Sequence, residues 1–197
     1  MSKYRLYPTP EQEKTLLRYC SDARYVWNLA WTLSQCGTLE TYGKASRHKS
    51  HGGTEYIHQK RRPVRRQPNL VAQCRMLTEA RAEFEWLRAG SQNVQQQALR
   101  DFDEAMCLFF RGTAGFPGRR KKGRRDGFRI TDFTFARHVR RLNRHWGQVA
   151  VPKIGWVRFR WSRAVPPGVK SYRVTPDRAG RWHVAFAVIP APVAAPG

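Results

Sequence analysis

The segment "KYRLYP" (3–8) alternates apolar and polar residues and ends at Pro8, the pattern of a short strand. Downstream of it the chain reads as helix and polar loop, and the other strand-like segments come only after residue 127. One strand is not stable alone. It must therefore join the C-terminal strands, with the helices between them as an insertion. This requirement sets the expected fold class: α+β, a split antiparallel β-barrel with an inserted helical bundle.

The helices have clear signals. In "TPEQEKTLLRYCSDARYVWNLAWTLSQCG", Thr9 can cap, Pro10 suits the first turn and Gln12 completes a capping box. Leu16, Cys20, Ala23, Trp27 and Ala30 recur at helical spacing, and Gly37 is a stop. "NLVAQCRMLTEARAEFEWL" (69–87) reads as a second helix. Ser91 is expected to cap a third, with Val94, Ala98, Phe102, Ala105 and Phe109 as its apolar stripe and Gly112 as its end. Residues 38–68 are polar and basic and read as a loop. The expected boundaries are 1–8 for the first strand, 9–112 for the helical part, 113–190 for the remaining strands and 191–197 for a linker.

From Leu108 to Thr175 the only acids are Asp126 and Asp132, whereas the whole chain carries a net charge of +23. A merely solvated surface mixes its signs. The run "GFPGRRKKGRRDGFRI" (115–130) alone holds seven cations against Asp126. In "WVRFRW", strand alternation puts Trp156, Arg158 and Arg160 on one face and Val157, Phe159 and Trp161 on the other. Such an excess on a chain rich enough in aromatics to fold points to a nucleic-acid partner. No apolar run is long enough to span a bilayer, and the N-terminus has no signal core. A cytoplasmic, nucleoid-associated protein with no membrane partner is expected. Cys20, Cys36, Cys74 and Cys107 form no CxxC pair, and Cys20 and Cys107 read as small buried residues. His48, His51 and His58 read as solvated loop residues, not metal ligands.

Taken in order, "YRLYPTPEQEKTLL", "CSDARYVWNLA", "FEWL", "SQNVQQQALRDFDEAMCLFFRG", "GFPGRRKKGRRDGFRI" and "VPKIGWVRFR" resemble the N-terminal half of the TnpB/OrfB proteins of IS200/IS605-type insertion sequences. These are RNA-guided DNA endonucleases related to type V CRISPR effectors. The resemblance implies an oligonucleotide-binding-like wedge barrel, an inserted helical recognition domain and a downstream RuvC-like nuclease domain that this chain does not reach. That domain uses a divalent metal such as magnesium, often with zinc; no cofactor is expected in this chain. Guide RNA and double-stranded target DNA are the implied partners.

The resemblance also implies sites. Backbone contacts are expected from Arg119, Arg120, Lys121, Lys122, Arg124, Arg125, Arg129, Lys153, Arg158 and Arg160. Gly118-Arg119 stands where the family has a basic-aromatic pair, and Gly127 where Ser is common, so phosphate contact is expected there before stacking. The third helix is implied to read the motif flanking the target. Its first turns carry Gln92, Asn93, Gln95, Gln96 and Gln97; Gln92 and Gln96 share a face and could each grip an adenine edge. Thr131 and Thr134, on the first barrel strand, are further candidates.

Two other functions compete. One is an enzyme using scattered acids such as Asp22, Glu55, Asp101, Asp103 and Glu104. Two-metal cleavage needs several acids converging from separate elements, which this pattern does not indicate. The other is a truncated transposon product acting as a stand-alone DNA-binding regulator.

Overall fold

The computed structural model describes residues 2–36, 38–49, 55–66, 68–124 and 126–188. Strand β1 (Ser2–Tyr7) leads into helix α1 (Pro10–Cys36). The capping box closes in both directions: the Thr9 amide donates to Gln12 Oε1 at 3.1 Å and the Gln12 amide to Thr9 Oγ1 at 3.3 Å. All five residues of the expected α1 stripe are buried, joined by Tyr19 and Val26.

Residues read as loop instead pair as strands β2 (Thr38–Lys49) and β3 (Glu55–Arg66), antiparallel from Thr38↔Arg66 to Lys49↔Glu55. Such ladders are made by backbone groups and tolerate polar sequences. The available signal was β-formers such as Thr41, Tyr42, Tyr56, Ile57 and Val64.

The expected second helix is two: α2 (Leu70–Glu83) and α3 (Glu85–Ala89), broken where Phe84 is extended at φ −100°. The break turns Leu87 inward, to 1% exposure, and aims its carbonyl at Gln95 Nε2, 2.8 Å away, and Arg81 Nη1, 2.9 Å away. Helix α4 (Gln92–Phe110) follows, with Ser91 at its N-cap. Ser91 is buried and makes no side-chain capping bond, so the expected role of its hydroxyl is not realised. Gly90, between α3 and α4, has no room for a side chain: an added Cβ would lie 2.0 Å from Asp22 Oδ2.

After α4 come β4 (Phe128–Ile130), the short α5 (Phe135–His138), β5 (Val139–Arg141), β6 (Trp146–Val151), β7 (Gly155–Arg160), β8 (Val169–Pro176) and β9 (Trp182–Val188). They form a seven-stranded antiparallel sheet in the order β4-β8-β9-β1-β7-β6-β5. β1 lies at its centre. Its first residues pair with β9 (Ser2↔Phe186 to Arg5↔His183) and its last with β7 (Leu6↔Phe159, Tyr7↔Arg158). The lone N-terminal strand thus splices the two halves together.

The sheet curls, so Tyr172 on β8 reaches across to donate its hydroxyl to the Ala150 carbonyl on β6, 2.6 Å away. It forms a half-barrel, the coarser form of the split antiparallel barrel expected. Closure would require the edge strands β4 and β5 to pair, and each is three residues long. Tyr4, Phe159, Phe186 and Tyr172 pack edge to face or tilted within the curl, at centroid distances of 5.5–6.2 Å. Helix α1 is tied to the sheet by Tyr19, whose hydroxyl donates to the Pro152 carbonyl at 2.9 Å, and by Glu13, which accepts from Trp182 Nε1 at 2.9 Å.

Candidate nucleic-acid interface

The basic run is a strap laid along α1. Successive polar groups on one face of that helix hold its backbone. Trp31 Nε1 donates to the Pro117 carbonyl at 2.9 Å and Trp27 Nε1 to the Gly118 carbonyl at 3.0 Å. Asn28 grips Arg120 twice, donating from Nδ2 to its carbonyl at 3.0 Å and accepting its amide at 2.8 Å. Two guanidiniums then lie over the same indoles, Arg119 at 5.4 Å from the Trp31 centroid and Arg120 at 3.7 Å from that of Trp27. Burial lowers the Arg120 pKa to about 10, with Asp101 and Asp126 opposing the shift, so it stays charged at neutral pH. Asp126 closes the strap, bonding Arg24 Nη1 at 2.7 Å and the Gly123 amide at 2.7 Å. Gly127 then turns at φ +150°, where an added Cβ would lie 2.7 Å from the Val174 carbonyl oxygen. Only glycine fits there.

Between the strap and the β8–β9 turn runs a groove of about 1090 Å³. Arg119, Arg120, Lys121, Arg124, Arg173 and Arg178 line it together with Asp126 and Asp177. Both acids are already engaged. Asp177 accepts from Arg181 Nε at 2.7 Å and from the amides of Ala179 and Arg181 at 2.9 Å. Desolvation acts to raise its pKa, but the bonds from Arg181 and Ala179 outweigh that and hold the carboxyl at about 2. The groove therefore offers guanidinium and ammonium donors without a free carboxylate among its lining residues, as phosphate recognition requires. Lys122 is exposed beside it. Arg125 lies outside the described residues.

Other expected contact residues sit elsewhere. Arg129 is half-buried and pairs with Asp101 of α4 at 3.2 Å. Lys153 occupies the β6–β7 turn at φ +61° and donates its Nζ to the Gly90 carbonyl at 3.0 Å, tying that turn to the end of α3. Arg158 and Arg160 are exposed on β7, with their guanidiniums 4.6 and 5.4 Å from the Trp146 centroid. Val157 and Phe159 are buried on the opposite face, as alternation predicts.

On α4 the glutamines divide. Gln92 and Asn93 are exposed and Gln96 is half-buried, whereas Gln95 and Gln97 are buried. Gln95 accepts from Arg81 and donates to Asp22 Oδ2 at 3.2 Å. Gln97 donates to Asp101 Oδ1 at 2.8 Å and accepts from the Thr131 hydroxyl at 3.1 Å. The structure thus brings Thr131 to α4 through Gln97. Thr131 follows β4 and Thr134 is the N-cap residue of α5, so neither lies on the strand where the sequence placed it.

Among the described residues no three His, Cys, Asp or Glu side chains converge as metal ligands would. Asp101 is engaged by Gln97 and Arg129, so the Asp101/Glu104 pair does not suit a divalent ion. The side chains of His48, His58 and Glu55, and all of His51, lie outside the described residues. Cys20 is buried, its thiol pushed up to about 12 by desolvation, but Cys107 is exposed, contrary to expectation, because it falls outside the buried arc of α4. Among the described residues no helix is long and apolar enough to cross a membrane.

Sequence reasoning missed Arg173 and Arg178, which alternation and turn position could not link to the strap. It also missed the mooring role of Asn28 and Trp31; their signal was a polar-tipped edge beside the α1 stripe.

The helix-turn-helix domain model of the OrfB/IS605 family matches residues 2–36. In this chain those residues are β1 and the single helix α1. A protein of Escherichia coli (strain K12), provisionally named RNA-guided DNA endonuclease InsQ, is 28% identical over 185 residues, covering 93% of this chain and 39% of that protein. A Streptomyces pristinaespiralis protein, provisionally named an RNA-guided DNA endonuclease, is 30% identical over 199 residues, covering 96% and 42% respectively. The chain spans about two fifths of the length of these relatives. With an OrfB/IS605 domain match at its N-terminus and relatives matching along nearly the whole of it, the chain is similar to the TnpB/OrfB proteins of IS200/IS605-type insertion sequences.

Proposed function

We propose that this chain is the nucleic-acid-binding part of a TnpB-like RNA-guided DNA endonuclease, engaging guide RNA and the DNA motif that flanks the target. On this reading the half-barrel is the wedge domain and α1–α4, with the β2–β3 ladder, form the inserted recognition domain. The strap and its groove contact phosphates, and the Gln92/Gln96 face of α4 reads bases. No catalytic role is assigned to this chain.

The observation that carries the proposal is the strap itself. A solvated charge run needs no moorings, yet this one is held by four hydrogen bonds from Trp27, Asn28 and Trp31, with two guanidiniums fixed over indoles. Ordering in advance removes the entropy cost of fixing long side chains on binding. The match to a helix-turn-helix domain favours a second reading, a stand-alone DNA-binding regulator. Purification from the native host and sequencing of the bound nucleic acid separate the two. A discrete co-purifying RNA supports the first; DNA alone supports the second; neither defeats both.

A further inference from the structure

We infer that the face of β1, β7, β6 and β5 turned away from the core is a stacking platform for a single-stranded segment of RNA. The inference rests on the nucleic-acid reading above and adds to it a mode of contact and a strand preference.

Cross-strand register assembles this face. Tyr7 lies opposite Arg158, which lies opposite Gln148, which lies opposite Arg140, one row across four strands. Arg160 opposite Trp146 and Trp156 opposite Ala150 flank that row. Cations and rings alternate in space as well as in register. Arg140 Cζ is 4.2 Å from the Trp156 centroid, Arg158 Cζ 4.6 Å from that of Trp146, and Arg5 Cζ 5.4 Å from that of Tyr7. Tyr7 meets Trp146 edge to face at 5.0 Å and remains 44% exposed.

None of the four strands contains Asp or Glu. A face kept only for solubility has no need of three aromatic rings, and one kept only for phosphates has no need of any. Indole, phenol and guanidinium planes together provide surfaces for unstacked bases, with positive charge for the backbone between them. A duplex cannot use those planes, because its base faces already stack on each other. RNA is the occupant because the similar proteins are named RNA-guided, and looped or single-stranded RNA is the form whose bases can splay out. No residue of this face lines the strap groove, so the two surfaces can be tested apart.

The test uses the full chain and fluorescence anisotropy with an unstructured RNA of about 15 nucleotides, its duplex with the complementary RNA, and the DNA strand of the same sequence. Trp146→Leu and Trp156→Leu are expected to weaken single-strand RNA binding by about tenfold or more while duplex binding changes by no more than about twofold. Arg158→Lys keeps the charge and removes the plane. Its exposed position makes it safe for folding, and it is expected to shift the single-strand preference in the same direction. Replacing Arg119, Arg120, Lys121 and Lys122 with Ser should weaken both RNA forms. Equal losses on both forms in the face variants, no loss on either, or tighter binding of the DNA strand than of the RNA by the unmodified chain would each overturn the inference. If the unmodified chain binds no nucleic acid, the proposed function falls with it. If only the strap variant loses binding, that function survives and the platform does not.

Discussion

The guanidinium of Arg120 lies 3.7 Å from the centroid of the Trp27 ring. Trp27 in turn meets Phe102, fully buried on α4, edge to face at 5.2 Å. One indole therefore connects the hydrophobic core to the most basic segment of the chain. The strap's charge is placed by the same packing that holds α1 to α4, so loosening the mooring and weakening the binding surface are linked events.

Asn28→Ala should reveal that link. It removes both hydrogen bonds to Arg120, each contributing roughly 1 kcal/mol net. A loss of about 1–3 kcal/mol is expected in urea denaturation. Trypsin should also cut within residues 119–124 sooner under native conditions. An unchanged cleavage rate would mean that Asn28 does not hold the strap.

Salt dependence separates cations that neutralise phosphates from structural ones. Serine at Arg119, Arg120, Lys121 and Lys122 should flatten the slope of log affinity against log salt, by about 0.7 for each phosphate of a single strand that is no longer neutralised. Arg173→Ser and Arg178→Ser should flatten it as well if the groove carries the backbone. Lys153→Ser should leave the slope alone and reduce stability instead, because its ammonium is bound to the Gly90 carbonyl.

The four glutamines of α4 should part company under mutation. Gln96→Ala is expected to relax preference at one or two positions of a randomised flanking-motif library, a bidentate contact being worth about 1–3 kcal/mol between right and wrong bases. Gln92→Ala should act the same way. The library is read with this chain and its guide RNA. Gln95→Ala should instead lower stability by about 1–3 kcal/mol, stranding Arg81 and Asp22 groups in the interior. An unchanged motif in both exposed-face variants would make that face a spacer.

Stability should respond to pH through Asp22. Desolvation raises its pKa in the fold, opposed by the Gln95 hydrogen bond and the charges of Arg18 and Arg81. Between the unfolded carboxyl's pKa of about 3.9 and the raised native value, the folded state holds more protons than the unfolded. This contribution to stability therefore falls as pH rises through that window. Asp22→Asn keeps an acceptor for Gln95 and should flatten this dependence in denaturant titrations at a series of pH values. The same slope in both proteins would assign the effect to other groups.

Magnesium with purified chain, guide RNA and plasmid should leave the plasmid intact on a gel. The motive is the state of Asp101, whose carboxylate is held by Gln97 and Arg129. Cleavage that survives repurification and disappears in Asp101→Ala or Glu104→Ala would place a metal site on α4 after all.

Much of the architecture was legible because it depends on local rules. The capping box at Thr9 and Gln12, the α1 stripe and the facing of "WVRFRW" each follow from a spacing of a few residues. The break at Phe84 and the β2–β3 ladder were not, since tertiary partners of Leu87 decide the first and backbone pairing between polar strands the second. The candidate site was half legible. Charge marked the strap and β7, but no local rule could sort Gln92 and Gln96 from Gln95 and Gln97, because burial is set by Asp22, Arg81 and Thr131 arriving from elsewhere.

By itself the sequence determined that β1 had to find its partners beyond the helices, since a single strand leaves its backbone groups unpaired, and that the surface would be cationic, since charge is a property of composition. Only the tertiary structure decided which cations are free to act. Arg129 and Lys153 are occupied by Asp101 and the Gly90 carbonyl, while Arg173 and Arg178 join the strap's groove from a distant hairpin. The physical reason is that electrostatic contacts depend on distances in space, and side chains far apart in the chain come within reach only when the sheet curls and α1 docks against it.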